Sequence, residues 1–416
     1  MRNSSEDLDF ILPLYPFTQG EQNNLRLWLG ELAQWNIPPL KEWWELPSKR
    51  LKGKDLRKAA LKPIEERWLE EKRRGPRWNE RRAVEDPAEV SFEEIRDGRN
   101  ILGSCPVASE KTRCCNLLTL DAVFRCGFDC SYCSIQSFYS KGKISFHGNL
   151  REKLEDLEGT LEKGRLYHIG TGQSSDSLMW GNRKSDSGEG LFEELFRFAR
   201  RNSQVILEFK SKSDNIEWLL NHHDQIPSNA LFTWSLNPRS VVDNEEKGTA
   251  SLERRLQAAR KIADLGHPVG FHFHPMVYFE GWQEEYKALF SRVQAEFKAD
   301  EVVQISFGTL TYIKPVLKKI RNRPFSSQIL RMPLEEIAGK FSYPFELKKE
   351  MFRFAYNSFK EWHKREVFFY LCMEDIELWA PVFHRTYENN EEFEQDMLQS
   401  YDKKMKKIAR LNEPGA

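Results

Sequence analysis

What this chain lacks narrows its class first. No run of about 18 apolar residues occurs, the length a membrane-spanning helix needs. The opening, MRNSSEDLDFILPLYPF, has neither the basic start nor the apolar core of a secretory leader, so a cytoplasmic protein without a membrane partner is expected. Net charge is also missing: 63 Lys and Arg stand against 63 Asp and Glu. The field of the whole molecule therefore gives no argument for a polyanionic partner. No solenoid-type repeat is evident. Cysteine is scarce, seven in 416 residues. An odd, clustered set in a long chain argues against a secreted disulfide framework and for thiolates used as metal ligands or in chemistry.

What is there can build a large core, with 40% hydrophobic and 12% aromatic residues. The length suits two or three domains, or one large α/β domain with appendages. Residues 1–100 read as a helical, Trp-rich extension holding Trp28, Trp35, Trp43, Trp44, Trp68 and Trp78. Within it, residues 49–82 carry fourteen Lys/Arg against six Asp/Glu. A basic, Trp-containing helix can bind a nucleic-acid backbone. The plainer reading is a solvated helix whose tryptophans pack onto the main domain.

A different rhythm starts near Leu117. Six β-rich runs, LLTLDAVF, RLYHIGTG, QVILEFKSKS, ALFTWSLNP, PVGFHFHPMVYF and VVQISFGTL, alternate with amphipathic helical ones such as GLFEELFRFARR, DNIEWLLNHH, SLERRLQAARKIADLG and WQEEYKALFSRVQAEF. Gly266 stands where a helix C-cap glycine would. Such alternation predicts a parallel sheet with right-handed crossovers. Six units fall short of a closed eight-fold barrel, so an α/β partial (β/α)6 barrel over residues 101–312 is expected. A mostly helical region, residues 313–416, follows, with IKPVLKKIRNRPF as a second basic stretch.

The segment RCGFDCSYCSIQSFY puts Cys126, Cys130 and Cys133 at C-x3-C-x2-C spacing. Zinc sites usually present two pairs of ligands instead. Soft thiolates suit an iron–sulfur cluster. Three of them on a four-iron cubane leave one iron open for a non-protein ligand. S-adenosylmethionine (SAM) can chelate that iron, and one electron then breaks its sulfonium bond to give a 5′-deoxyadenosyl radical. A zinc site completed elsewhere, or three packing thiols, are the plainer alternatives. In a βα barrel, reactive groups sit at the carboxyl ends of strands. There the sequence places the three cysteines, then Gly170, Thr171 and Gly172, then Lys212 and Ser213, then Ser235 and Asn237. His272 and His274 alternate with Phe271 and Phe273, so at most one face of that strand points inward, and packing histidines are expected.

The motif, with Tyr132 before its third cysteine, resembles the radical SAM signature. GTGQSSDSL, EFKSKSDN, WSLNP, EKGTASLERRLQAARKIADLG, VGFHFHP, EGWQEEY, ISFGTL and YLCME, in this order over residues 117–376, resemble the spore photoproduct lyase family. The resemblance implies repair of a covalent thymine dimer in DNA by radical SAM chemistry. It implies a [4Fe–4S] cluster, SAM, DNA or RNA as partner, and an electron donor such as flavodoxin or ferredoxin. It also implies SAM contacts for Lys212, Ser235 and Asn237, with the GTG glycines letting backbone approach the methionine end, and a relay role for Tyr132. Two departures stand out. Gln173 occupies the position of the lyases' hydrogen-returning cysteine, and an amide is no practical hydrogen-atom donor. Ser134 replaces a second relay tyrosine, with Tyr139 near but not at that position. Radical modification of a peptide or small metabolite, or a cluster-bearing binding or redox-sensing protein without turnover, are the alternatives. Cys105, Cys114, Cys115 and Cys372 remain. Some are candidates for a second metal or cluster, or for the missing hydrogen donor. Vicinal cysteines on a strand face opposite ways, so Cys114 and Cys115 could share a metal only across a bend. Cys372, after an aromatic run, is expected to be buried and inert.

Overall fold

The computed structural model describes residues 5–48, 50–78, 91–105, 111–135, 143–323, 327–337 and 339–411. Tyr139 lies outside them. The alternating region forms one curled, open half-barrel sheet of eight strands. In chain order these are β1 (Leu102–Ser104), β2 (Leu118–Leu120), β3 (Tyr167–Thr171), β4 (Val205–Ser211), β5 (Ala230–Ser235), β6 (Val269–Met276), β7 (Val302–Thr309) and β8 (Phe368–Leu371). Each strand pairs with its neighbours in sequence. From β2 to β8 all pairings are parallel, and β1 runs antiparallel along the β2 edge.

All six strand runs of the sequence contribute to this sheet, although the end of the first, Val123–Phe124, pairs instead with Ile144–His147 in a separate sheet. The chain adds β8, which the helical reading of the C-terminal region had not separated from its surroundings. FFYL is a short continuous apolar run, and such a run carries no period that tells strand from buried helix. The predicted helices are present as Leu191–Arg201, Glu217–Asn221, Leu252–Asp264 and Trp282–Glu296. Gly266, φ 83°, ends the third of these in the left-handed conformation that glycine enters at least cost.

Strand alternation sorts side chains between two faces. On β6, Phe271 and Phe273 face the helices. Phe273 packs edge-on against Phe290 of the helix Trp282–Glu296, ring centroids 4.9 Å apart. The histidines face inward, so the histidine face is the interior one. At its centre the Glu208 carboxylate (β4) accepts hydrogen bonds from Thr233 Oγ1 at 2.6 Å and Gln304 Nε2 at 3.0 Å. His168 Nε2 lies 2.8 Å from it and His272 Nε2 2.7 Å. His272 Nδ1 lies 2.6 Å from Ser306 Oγ. Tyr401, from the C-terminal helix Asn390–Leu411, donates to Gln304 in the same layer. Each of these inward side chains has at least one partner, as burial demands, while His168 Nδ1 is left without one.

Residues 111–117 bridge the two edges of the half-barrel. Arg113 N–H donates to Glu374 O at 3.3 Å and Ile376 N–H to Lys111 O at 3.0 Å, just beyond β8. The chain then passes the C-terminal helix, where Asn390 Oδ1 accepts from Cys114 N–H at 3.1 Å, and enters β2.

A second compact unit gathers Met1–Arg81, Tyr278–Trp282 and Thr311–Pro344. It has its own core, with Trp28, Trp35 and Trp44 buried beside Leu25, Leu29 and Ile64. Trp28 and Trp68 pack ring to ring, centroids 6.2 Å apart, within this core. Both basic stretches belong to this unit, as the helices Gly53–Arg74 and Lys314–Arg321. Some of their cations are committed internally: Arg321 Nε lies 2.7 Å from Glu31 Oε1, and Arg57 Nε 3.0 Å from Glu21 Oε2.

His272 gives the half-barrel a pH dependence. Burial first, then the Lys210 charge, push its pKa down from 6.5 to about 4. The folded chain thus keeps this ring neutral where the unfolded chain protonates it. Its share of stability is complete above pH 6.5 and is lost as pH falls toward 4. The melting temperature of wild type should decline across this window, and that of His272→Gln should decline less. Equal slopes would contradict the assignment.

Candidate active site

The motif cysteines sit on a loop leaving β2. A Cβ on Gly127 would stand 2.8 Å from both Met179 Cε and Trp180 Cη2, so a side chain there would require those two to shift. Cys133 N–H donates to Cys130 O at 3.1 Å, a tight turn. The loop is fastened by residues 245–247, which pair with it antiparallel, Glu246 opposite Cys130 and Lys247 opposite Asp129. Ser131 N–H donates to Glu245 O at 2.8 Å, and its hydroxyl to the Glu245 carboxylate.

Glu246 ties this loop to the barrel. Its carboxylate accepts from the Tyr132 hydroxyl and from Asn237 Nδ2 at 2.9 Å. Arg255 Nη2 lies 2.6 Å away and Lys212 Nζ 3.9 Å. Burial raises the Glu246 pKa, but the Arg255 and Lys212 charges more than offset this and hold it at about 2. The buried Arg255 is itself satisfied by the Ala250 and Ser235 carbonyls, each at 2.9 Å, and by Thr249 Oγ1. Lys212 Nζ donates to Ser235 Oγ at 2.6 Å, and that hydroxyl donates to His274 O at 3.2 Å.

The segment after β3 is equally fixed. Gly172 has φ 83°, and a Cβ there would stand 2.5 Å from Ser177 Oγ, so only glycine fits. Asp176 Oδ1 accepts from Ser211 Oγ at 2.7 Å and from the N–H groups of Leu178 and Met179 at 3.0 Å. Its Oδ2 accepts from Lys212 N–H at 2.7 Å. Ser174 Oγ donates to Asp121 Oδ1 at 2.6 Å and Ser175 Oγ to Arg125 O at 2.9 Å. The QSSD loop is thus tied both to β4 and to the cysteine loop.

One cavity of about 180 Å³ collects Cys126, Cys130 and Cys133 with Tyr132, Gly172, Gln173, Lys212 and Ser235. Of the residues placed at the strand ends, Gly170, Thr171, Ser213 and Asn237 do not line it. Gly170 lies inside β3 against Leu117. Thr171 donates to Glu208 O at 3.1 Å. Asn237 is buried behind the cavity between Glu246 and Tyr286, whose hydroxyl donates to Asn237 Oδ1 at 2.8 Å. The sequence reading passed over Asp176, Glu246 and Arg255, although all three fall within the quoted runs GTGQSSDSL and EKGTASLERRLQAARKIADLG.

No cysteine is in a disulfide. Among the described residues, no three His, Cys, Asp or Glu side chains are arranged to hold a single metal ion. A cubane asks for something else, because each thiolate takes its own iron and the sulfurs stay apart. Three soft donors around one cavity fit that demand. Burial, then the charges of Asp176 and Cys130, push the Cys126 thiol well up. Ligation therefore has to displace protons.

The family model for spore photoproduct lyase matches residues 122–356, more than half the chain. The chain belongs to the spore photoproduct lyase family. The enzyme of Bacillus subtilis (strain 168) is 33% identical over 121 residues, 28% of this chain and 35% of its own length. That of Clostridium acetobutylicum is 25% identical over 237 residues, 54% of this chain and 64% of its own. The chain thus spans less than two thirds of these relatives. A solved spore photoproduct lyase complexed with dinucleoside spore photoproduct superposes with a TM-score of 0.56 at 20% identity, over 70% of this chain and 88% of that one. A variant with bound AdoMet and dinucleoside spore photoproduct gives 0.56 at 18%, over 83% and 94%. At such identity the likeness is one of fold. No helix among the described residues is long and apolar enough to cross a membrane.

The clamp is testable apart from activity. Glu246→Gln keeps the shape but strips Arg255 of its counter-charge. A loss of about 3 kcal/mol or more is expected in denaturant unfolding of the half-barrel. An unchanged midpoint would mean that this ion pair does not hold the loop.

Proposed function

We propose that this chain is a radical SAM enzyme acting on a damaged nucleic acid. The observation that carries the reading is the single cavity shared by Cys126, Cys130, Cys133, Lys212 and Ser235, gathered from the ends of β2, β4 and β5. In this reading the three cysteines hold a [4Fe–4S] cluster with one iron left for SAM. When bound, a cluster reduced by an external donor would supply one electron to the sulfonium of SAM, giving methionine and a 5′-deoxyadenosyl radical. Lys212 offers its ammonium, and Ser235 its hydroxyl, to the carboxylate of the methionine end. Gly172 keeps backbone bare on the same side, while Gly170, Thr171 and Asn237 support the wall from behind.

Tyr132 has its ring at the cavity and its hydroxyl on the Glu246 carboxylate. Glu246 can take the phenolic proton as the ring gives up an electron, which suits a relay. Gln173 lines the cavity where the family's hydrogen donor stands, and offers amide hydrogen bonding in its place. The nucleic-acid part rests on family membership, on the dinucleoside spore photoproduct bound by the solved relatives, and on the two basic helices. Phosphates would be met by Lys and Arg of Gly53–Arg74 and Lys314–Arg321 that are not already paired.

Anaerobic reconstitution followed by dithionite and SAM tests the chemistry. Wild type should release 5′-deoxyadenosine, and Cys126→Ala, Cys130→Ala and Cys133→Ala should each release none. Wild-type-like cleavage in any of them would overturn the ligand set. For the substrate, Gln173→Cys should raise conversion of dinucleoside spore photoproduct to thymine product. If neither protein converts it while both cleave SAM, the lesion assignment fails and the radical chemistry stands.

A further inference from the structure

One cation at the cavity has no task in the chemistry above. Lys210 lies on β4, two residues past Glu208 and two before Lys212. Side chains alternate along a strand, so Lys210 shares the inward face with Glu208. It is half-buried and lines the same cavity as Cys126, Cys130 and Cys133. Its backbone is pinned between neighbours on both sides, with Phe209 opposite Thr171 of β3 and Lys210 opposite Thr233 of β5.

The acidic side chains of the site are all taken. Glu208 Oε1 meets Thr233, Gln304 and His272, and its Oε2 meets His168. Asp176 accepts from Ser211 Oγ and from three backbone N–H groups. Glu246 is held by Arg255, Asn237 and Tyr132, with Lys212 at 3.9 Å. Among the described residues, the Lys210 ammonium makes no hydrogen bond and no ion pair. A cation drawn partly out of water without a counter-charge costs stability, and a ligand that brings the charge recovers it.

SAM does not answer this cation. It has one carboxylate, which Lys212 and Ser235 meet in the reading above. Lys210 is also one pleat deeper than Lys212, roughly 7 Å along the strand, toward the Glu208 layer. The remaining source of negative charge is the substrate, and in a nucleic acid two adjacent nucleosides are joined by a phosphodiester.

We propose that Lys210 binds the phosphodiester between the two nucleosides of the lesion and selects the linked dinucleotide over the free dinucleoside. The inference rests on the nucleic-acid reading. A phosphodiester offers one full negative charge and two unesterified oxygens, which suit a point charge with three donors. Lys210 takes part in no bond-making step. It is a positioning residue: holding the phosphate sets where the two bases lie against Gln173, which lines the same cavity.

Equilibrium binding to the anaerobically reconstituted full chain, with SAM present, tests this with two probes. One is the spore photoproduct dinucleotide with its phosphodiester, the other dinucleoside spore photoproduct, which lacks it. Wild type should favour the linked form by about tenfold or more, the worth of one charged hydrogen bond. Lys210→Met should bind both alike, and Lys210→Arg should keep most of the preference. Removing an uncompensated cation should leave the melting temperature of Lys210→Met level with wild type or above it. A preference that persists in Lys210→Met, or is absent from wild type, overturns the proposal and leaves the lesion reading intact. A fall in SAM affinity in Lys210→Met with the preference kept overturns it too, and assigns the cation to the SAM carboxylate. A clear drop in melting temperature would mean that the protein already supplies a partner, and also overturns it. Binding of neither probe by wild type that cleaves SAM overturns the lesion reading and this proposal with it.

Discussion

A single buried carboxylate organises the catalytic end of the half-barrel. Glu246 meets Arg255, Lys212, Asn237 and Tyr132 where almost no solvent reaches it. An ionised carboxylate is stable at such depth only where charge and hydrogen bonds offset its desolvation. Satisfying it requires β5, the Arg255 helix and the cysteine loop to be in register together. This polar knot positions the loop. Lys212 is shared between the knot and Ser235, and its ammonium is therefore fixed at the cavity wall.

The interior follows a matching logic one layer down. Strand alternation leaves Glu208, His168, His272, Thr233, Gln304 and Ser306 facing one another, while the phenylalanines of β6 and β7 face the helices. Such a polar layer costs stability unless all its members are paired. The pairing draws on β3 through β7 and on Tyr401 from the last helix. The C-terminal region thereby contributes to the barrel's interior as well as its flank, and β8 extends the same sheet.

The cysteines divide into two families by geometry. Those of the motif are close in sequence and line an open cavity. The others come from three distant segments, brought near one another because residues 111–117 cross the gap between the sheet edges. A half-barrel needs such a bridge, since an uncovered parallel edge would leave backbone groups unpaired.

The sequence by itself determined the alternation of strands and helices, the partial barrel, and the local cysteine motif. These are short-range patterns, written in residue periodicity and in spacings of a few positions. It also marked Lys212 and Ser235, because strand ends can be read from turn residues and apolar runs, and Gln173 through the family resemblance. It did not separate β8 from buried helix, place Asn237 behind the cavity, or single out Glu246, Arg255 and Asp176. Nor did it bring Arg113 to Glu374, just beyond β8. Those outcomes belong to tertiary structure alone, since each is a contact between residues distant in the chain. Their energies are charge pairing and hydrogen bonding in a low-dielectric interior, and exist only once the sheet has closed around them.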